Sequence, residues 1–153
     1  MRIRLAIRDD IPAIVAMLAN DPLGRNREKF QDILPEPYYT AFEKITQDAN
    51  QELIVGESES GEIIATLQLS FIQYLTYRGG IRAQIEAVRV HETRRNEGIG
   101  QKVLEWAIAR AKEKGAHLVQ LTTDKKRGHT LRFYEKLGFR ATHEGMKLHL
   151  DND

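Results

Sequence analysis

The spacing of apolar residues along the 153-residue chain predicts an alternation of strands and helices. The first segment, RIRLAI, alternates polar and apolar residues as a half-buried strand does. Asp9 is a typical N-cap residue, and the apolar residues after it recur at helical spacing to about Ala19: Ile11, Ile14, Val15 and Leu18. Pro37 opens a second helical pattern, whose apolar face consists of Tyr38, Phe42, Ile45 and Ala49. The mixed segment between the two patterns predicts a loop.

The rest of the chain predicts more strands than helices. ELIVG and EIIATLQLSFIQY flank a turn-like ESESG and predict an antiparallel hairpin, and GGIRAQIEAVRV adds another strand. The strongest helical pattern is GIGQKVLEWAIARAKEKG, with Gly115 at its end. HLVQLTT then predicts a strand, HTLRFYEKLG a short helix, and FRATHEGMKLHL a closing strand or hairpin. We therefore expect one domain, residues 1–153, of the α/β (α+β) class, with helices covering a mixed sheet.

Composition and charge narrow the classes of function. Hydrophobic residues make up 41% and charged residues 29% of the chain, and the formal net charge is +1, so no overall basic field indicates a nucleic-acid partner. No apolar segment is long enough to span a membrane, and Asp9 and Asp10 interrupt the N-terminal apolar run, which argues against an export signal. We expect a cytoplasmic protein with neither a membrane nor a nucleic-acid partner.

The absence of cysteine excludes disulfides, thiolate-ligated zinc and a cysteine acyl-enzyme. The histidines show no metal-ligand spacing with the carboxylates, so we expect no metal. GESESG resembles a serine nucleophile elbow only superficially, because Ser60 stands where that motif needs glycine.

A basic, glycine-containing loop precedes the strongest helix, in RRNEGIGQKVLEWA from Arg94 to Ala107. The N-terminus of a helix carries unpaired backbone N–H groups and a partial positive charge. Gly98 and Gly100 would let an anion approach those groups closely. The alternative is a tight turn with solvated arginines. A Walker A motif is absent, and a dinucleotide-binding motif would need glycine where Val103 stands, although Asp124 lies where a ribose-binding carboxylate would be.

Two motifs at a suitable separation identify a family resemblance. The segment from Arg95 to Gly100 matches R/Q-x-x-G-x-G/A, and RFYEKLGF resembles F-Y-x-x-x-G-F. Both motifs, with a strand, a helix and a strand in the right order around them, resemble the GCN5-related N-acetyltransferase (GNAT) superfamily. The specific matches cover about Ile85 to Phe139, and the order of elements fits the family over the whole chain. The resemblance implies a GNAT-type acyl-CoA N-acyltransferase fold, with a mostly antiparallel central sheet of six to seven strands and about four helices.

The resemblance also implies that acetyl-CoA is the cosubstrate and that this part of the chain binds it. In this family the loop binds the pyrophosphate and the preceding strand edge binds the pantetheine arm. The corresponding residues here are Val88, Arg89, Val90, Arg95, Asn96, Glu97, Gly98, Ile99, Gly100 and Gln101. The phase of apolar residues changes between Ile85 and Val88, which independently indicates a β-bulge near Glu86 or Ala87. The alternative is a strand buried on both faces, which needs no bulge.

Two side chains are candidates for catalysis. Only a neutral amine attacks a thioester, so a base must take a proton from the ammonium, and the departing thiolate benefits from an acid. By resemblance, Glu86 is the base, directly or through water, and we expect it to be buried beside the acceptor channel. Tyr134 is by resemblance the general acid, and direct transfer without an acyl-enzyme follows. The alternatives are a Glu86 paired with Arg78, Arg82 or Arg89, and a Tyr134 that belongs to the core.

The sequence departs from the family pattern in one place and leaves the acceptor open. Relatives carry Asn and Ala where Arg127 and Thr130 stand; Arg127 either approaches the nucleotide's phosphate or lies in a solvated basic loop. The acceptor is an amine of a small molecule or peptide, shaped by residues 20–50 and 74–80, and Arg78 and Arg82 would favour an acidic one. Dimerisation is common in the family, so a homodimer stays open. A non-catalytic CoA-binding sensor and a dinucleotide-binding module are the alternative functions.

Overall fold

The computed structural model describes residues 1–151, which form two compact units: Met1–Gln120, and a second unit that begins at Leu121. The strands all lie in the first unit: β1 Arg2–Leu5, β2 Gln51–Glu57, β3 Ile63–Gln73, β4 Ile81–Val90 and β5 Ala116–Gln120. The helices of the first unit are α1 Ile11–Ala19, α2 Glu36–Gln47, α3 Thr76–Gly79 and α4 Ile99–Glu113, with 3-10 turns at Arg8–Asp10, Gly24–Asn26 and Glu92–Arg94. The second unit contains α5, Thr130–Lys136.

The five strands form one sheet in the order β1-β2-β3-β4-β5, the same as their order in the chain. Neighbours from β1 to β4 are antiparallel, and β5 is parallel to β4, with α4 as the crossover connection. The predicted mixed, mostly antiparallel sheet is confirmed, as is the β2–β3 hairpin. Consecutive residues Ile54 and Val55 are both fully buried, and since they point to opposite faces, both faces of the sheet are covered at β2.

The predicted number of strands, six to seven, is wrong. The structure assigns no strand to the described residues after Gln120. Met146, Leu148 and Leu150, whose alternation favoured a closing strand, are 95%, 85% and 86% exposed. An alternating pattern becomes a strand only when its backbone finds a partner strand and one of its faces a core. Here neither is present among the described residues.

The residues that the structure describes form five helices rather than about four. The additional one, α3, is a single turn between β3 and β4. Its residues Tyr77 and Arg78 have φ of 54° and 59°, in the left-handed region that non-glycine residues seldom adopt. α2 ends at Gln47, so Ala49 lies beyond the helix face to which the sequence assigned it.

Among the helices, α1 and α4 contribute most of the buried apolar side chains of the core. Ile11, Ile14 and Val15 of α1 cluster with Leu34 and with Val55 of β2. α4 packs on β3, β4 and β5. Its buried stripe consists of Ile99, Val103, Leu104, Ala107 and Ala111, at the spacing that the sequence predicts. The stripe fixes the helix, and therefore its N-terminus, relative to β4.

A single ion pair ties the other end of α4 to β2. The Arg110 guanidinium donates to both carboxylate oxygens of Glu52, with Nη2–Oε1 at 2.6 Å and Nε–Oε2 at 3.1 Å. The Glu52 side chain is only 9% exposed, whereas Glu113, the second partner of Arg110, is 66% exposed. Hydrogen bonding, first to Glu52 and then to Glu113, raises the pKa of Arg110 further above its already high value.

Replacing Arg110 by methionine leaves the buried Glu52 carboxylate without its cation. We expect the free energy of unfolding to fall by about 2 kcal/mol, below the cost for a fully buried pair because Arg110 is partly solvated. Glu113→Gln removes the exposed partner of the same arginine and should cost less than about 0.5 kcal/mol. Urea unfolding of both variants measures the difference, and equal losses would show that burial of Glu52 does not govern the interaction.

Candidate functional site

The site begins at an irregularity in β4. On β3, Thr66 pairs with Arg89 and Gln68 pairs with Glu86, so two residues of β4, Ala87 and Val88, lie opposite one residue of β3. Ala87 has φ of 54°, an uncommon backbone conformation for alanine. The predicted bulge is therefore present where the phase of apolar residues changes.

The bulge coincides with the end of the pairing between β4 and β5. The parallel register runs from Ile81, opposite Ala116, to Gln84, opposite Gln120, where β5 ends. Within residues 1–120, the edge of β4 that faces away from β3 has no strand partner beyond this point. Residues 88–90, for which the family resemblance implies contact with pantetheine, lie in this part of β4, and the Val88 carbonyl there accepts a hydrogen bond from Nη1 of Arg89 at 2.8 Å.

The N-terminus of α4 is open and shaped by left-handed residues. After the 3-10 turn, Asn96 has φ of 65° and Gly98, the N-cap residue, has φ of 75°. No side chain caps the helix, and a Cβ added at Gly98 would meet no atom within 4 Å. The first backbone N–H groups of a 15-residue helix are thus available to a ligand, and the helix dipole favours a negative one.

The charged residues of the loop divide into two groups. Arg94 donates from Nε to Oε2 of Glu97 at 2.7 Å, and this hydrogen bond raises the pKa of Arg94. Arg95 is exposed next to the helix N-terminus.

Of the other predicted contact residues, Ile99 is buried in the core and Gly100 and Gln101 lie in the first turn of α4. Backbone donors at a helix N-terminus with an arginine beside them suit a diphosphate.

Glu86 lies immediately before the bulge and is exposed, so the expected burial of this residue is wrong. The bulge turns the strand at this point and leaves the side chain on the open part of β4. Its Oε1 accepts a hydrogen bond from Nε2 of Gln84 at 2.7 Å. Arg89, one of the arginines considered as a partner, lies 3.7 Å from Asp21 instead.

Gln84 is a residue of this region that the sequence analysis did not single out. Arg82, Gln84 and Glu86 alternate along β4 and therefore share a face. The alternation of these polar residues was the signal available in the sequence, but it fits a solvated strand equally well. The register with β5 places Gln120 beside Gln84, and this pairing distinguishes a row of interacting side chains from a solvated face.

Tyr134 belongs to the second unit, in α5. It is 8% exposed, and its ring contacts those of Phe133 and Phe139 edge to face, at centroid distances of 5.2 and 5.9 Å. α5 ends before Gly138, whose φ is 97°. Leu131 of the same helix is 44% exposed. Within the second unit, the Tyr134 ring is therefore packed against two aromatic rings.

Among residues 1–151, no three histidine or carboxylate side chains are grouped as metal ligands would be. None of the helices in that range has the length and apolar character needed to cross a membrane.

Comparison with known proteins relates this geometry to a family. The Acetyltransferase (GNAT) family profile matches residues 22–139. An aminoalkylphosphonate N-acetyltransferase of Salmonella typhimurium is 31% identical over 84 residues, which are 55% of this chain and 54% of the relative. The matched part thus spans about half the length of that curated protein.

Solved structures extend the likeness to nearly the whole chain. A crystal structure described as a transcriptional regulator from Bacillus halodurans C-125 is 52% identical, with a TM-score of 0.95 and coverage of 97% of this chain and 99% of that one. A predicted acetyltransferase from Clostridium acetobutylicum, solved with acetyl-CoA, is 26% identical with a TM-score of 0.74, covering 97% and 96%. The bulged strand, the open helix N-terminus and the profile match across both motifs lead to one conclusion: the chain belongs to the Acetyltransferase (GNAT) family.

Proposed function

We propose that this protein transfers an acetyl group from acetyl-CoA to a primary amine, by direct transfer in a ternary complex, and that residues 1–153 act as one catalytic domain. The observation that carries the proposal is the uncapped N-terminus of α4, which follows the bulged strand β4 after one short loop. The family match supports the same reaction class. A helix N-terminus alone binds many anions. The end of β4 beyond its pairing with β5 lies next to it in the chain and suits a long ligand with an amide-containing arm.

The residues proposed to hold acetyl-CoA form two groups. Val88, Arg89 and Val90, in the part of β4 beyond its pairing with β5, are proposed to contact the pantetheine arm. The diphosphate is bound by the segment Arg95–Gln101, mainly through backbone N–H groups. Arg127 of the second unit is an additional candidate for the nucleotide's phosphate, in place of the asparagine common in the family.

Glu86 and Tyr134 are the proposed catalytic residues. Acetyl-CoA supplies an activated acyl group, and the chain must provide for two proton movements. The Glu86 carboxylate takes a proton from the acceptor's ammonium, directly or through a water, which its exposed position permits. The Tyr134 hydroxyl donates a proton to the departing thiolate. No cysteine is present, and no covalent acyl-enzyme is required.

The acceptor is proposed to be a small-molecule amine, with peptide amines next. The curated relative's name specifies aminoalkylphosphonates, so 2-aminoethylphosphonate is the first acceptor to test. Arg78 is exposed in the β3–β4 connection and would favour such an acidic amine.

A second candidate is a non-catalytic CoA sensor. It is favoured by the description of the 52% identical Bacillus halodurans structure as a transcriptional regulator. Tight acetyl-CoA binding without CoA release on any amine or peptide would support it over the enzyme. The dinucleotide-binding alternative is less favoured, because that fold needs a mostly parallel sheet, whereas neighbouring strands from β1 to β4 pair antiparallel.

Gly98→Glu tests the anion site. The side chain would enter the open space at the helix N-terminus with a negative charge, and we expect acetyl-CoA affinity to fall by at least about 10-fold. Gly115→Glu is the matched control, because Gly115 at the other end of α4 has φ of 79° and equally open surroundings. Calorimetric titration with acetyl-CoA, and with NAD in parallel, measures both. Equal losses in the two variants, or absence of acetyl-CoA binding in the parent protein, would refute the site.

Glu86→Gln tests the base. We expect turnover to fall by about 100-fold, mostly below the acceptor's own pKa where the amine is protonated, with acetyl-CoA affinity retained. Glu92→Gln, an exposed carboxylate in the nearby 3-10 turn, should leave turnover unchanged. A thiol reagent measures released CoA without background from the protein, which has no cysteine. Undiminished turnover across the pH range would remove Glu86 from the mechanism.

Tyr134→Phe tests the acid. The variant keeps the ring contacts with Phe133 and Phe139 and lacks the hydroxyl, so we expect the aromatic packing to be retained and turnover to fall by about 10-fold or more. Turnover in Tyr134→Phe equal to that of the parent protein would remove Tyr134 from the mechanism.

A further inference from the structure

A chain of side-chain hydrogen bonds leads across β4 and β5 to Glu86. Nη1 of Arg82 donates to Oε1 of Gln120 at 3.4 Å, and Nε2 of Gln120 donates to Oε1 of Gln84 at 2.7 Å. Nε2 of Gln84 then donates to Oε1 of Glu86 at 2.7 Å. All four residues lie in the first unit, and both glutamines are partly buried.

The two ends of this chain fix its direction. An amide side chain can present either its oxygen or its NH₂ group to a neighbour. The guanidinium of Arg82 only donates, and the ionised carboxylate of Glu86 only accepts. Reversing either amide would place an NH₂ group against the guanidinium or an oxygen against the carboxylate. One orientation therefore satisfies all the contacts.

The cationic end of the chain is itself held in place. The Arg82 guanidinium lies 4.4 Å from the ring centroid of Tyr74, in a cation–π contact. The register of the parallel pair sets Gln120 directly beside Gln84. The sheet and one aromatic ring thus hold the donor that reaches Glu86, although Glu86 itself is exposed.

We propose that Gln84 is the positioning residue for Glu86, and that Gln120 and Arg82 fix the orientation of its amide. Gln84 occupies Oε1 of the carboxylate, so Oε2 is the oxygen that takes the proton from the amine. An exposed glutamate without this contact would sample several rotamers, and few of them would aim the carboxylate at the acceptor. The inference rests on the proposed function, because a positioning residue requires a base to position.

The first arm of the test needs no acceptor. In ¹⁵N correlation spectra at one pH, the side-chain NH₂ signals of Gln84 are identified by their loss in Gln84→Met. They should move upfield in Glu86→Gln, because a neutral amide replaces the charged acceptor of the hydrogen bond, and should stay in place in Glu92→Gln. The NH₂ group of Gln73, which donates to backbone carbonyls, is the internal reference. Gln84 signals that stay in place in Glu86→Gln would overturn the contact, whatever the protein's activity.

The second arm measures CoA release with 2-aminoethylphosphonate or the primary amine that the parent protein acetylates. Gln84→Met should lower kcat by about 10-fold, with the thermal midpoint and acetyl-CoA affinity unchanged. The control is Gln68→Met: Gln68 pairs with Glu86 across β3 and β4, but its amide donates to Gln51 at 2.7 Å. Gln68→Met should keep the parent kcat. Equal kcat in Gln84→Met and the parent would overturn the positioning role.

The two arms separate failure of the inference from failure of the proposed function. If the NMR contact is present and Glu86→Gln turns over normally, Glu86 is not the base and the proposed mechanism falls together with the positioning role. If Glu86→Gln is impaired while Gln84→Met is not, the base stands and the inference alone is wrong.

Discussion

Strand β4 pairs antiparallel with β3 on one edge and parallel with β5 on the other. The positions at which these two pairings are interrupted or end determine the geometry of the site. Its antiparallel ladder with β3 is interrupted at Ala87 and Val88, and its parallel ladder with β5 ends at Gln84. The left-handed backbone at Ala87 is maintained by the surrounding sheet, since alanine gains nothing from it locally. Within residues 1–120, the strand pairs with β5 only as far as Gln84, and Glu86 lies between the end of that pairing and the bulge.

The chain has a net charge of only +1, yet it is proposed to bind a highly charged cosubstrate. The two statements are compatible because the attraction comes from groups at one place in the fold. The uncapped N-terminus of α4 supplies oriented backbone N–H groups, and the loop supplies one exposed arginine. Glu97 meanwhile binds Arg94, so the arginine pair identified in the sequence is unequal in the structure. The buried stripe of α4 holds these donors in place, and the tie between Arg110 and Glu52 holds the opposite end of the same helix.

The sequence was most informative where a periodic pattern met a core. The phase change between Ile85 and Val88 predicted the bulge, and the stripe of α4 predicted the helix that carries the loop. The sequence-based prediction was wrong where strand formation depends on a partner strand. Met146, Leu148 and Leu150 alternate with polar residues as in a strand, but all three are exposed. The exposure of Glu86 and its contact with Gln84 depend on the local turn of the strand and on the register with β5, which a single sequence does not encode in any local pattern.

The identity of strand order and chain order has a consequence for how the molecule assembles. β2, β3 and β4 are joined by short connections and pair with their immediate successors, so their contacts close small loops at low entropic cost. β1 pairs with β2, from which α1 and α2 separate it in the chain, and β5 pairs with β4, from which α4 separates it. These two pairings close longer loops. We therefore expect a three-strand meander to form early in folding. Because the bulge of β4 lies inside that meander, its backbone distortion would arise before the helix that is proposed to bind the cosubstrate has docked.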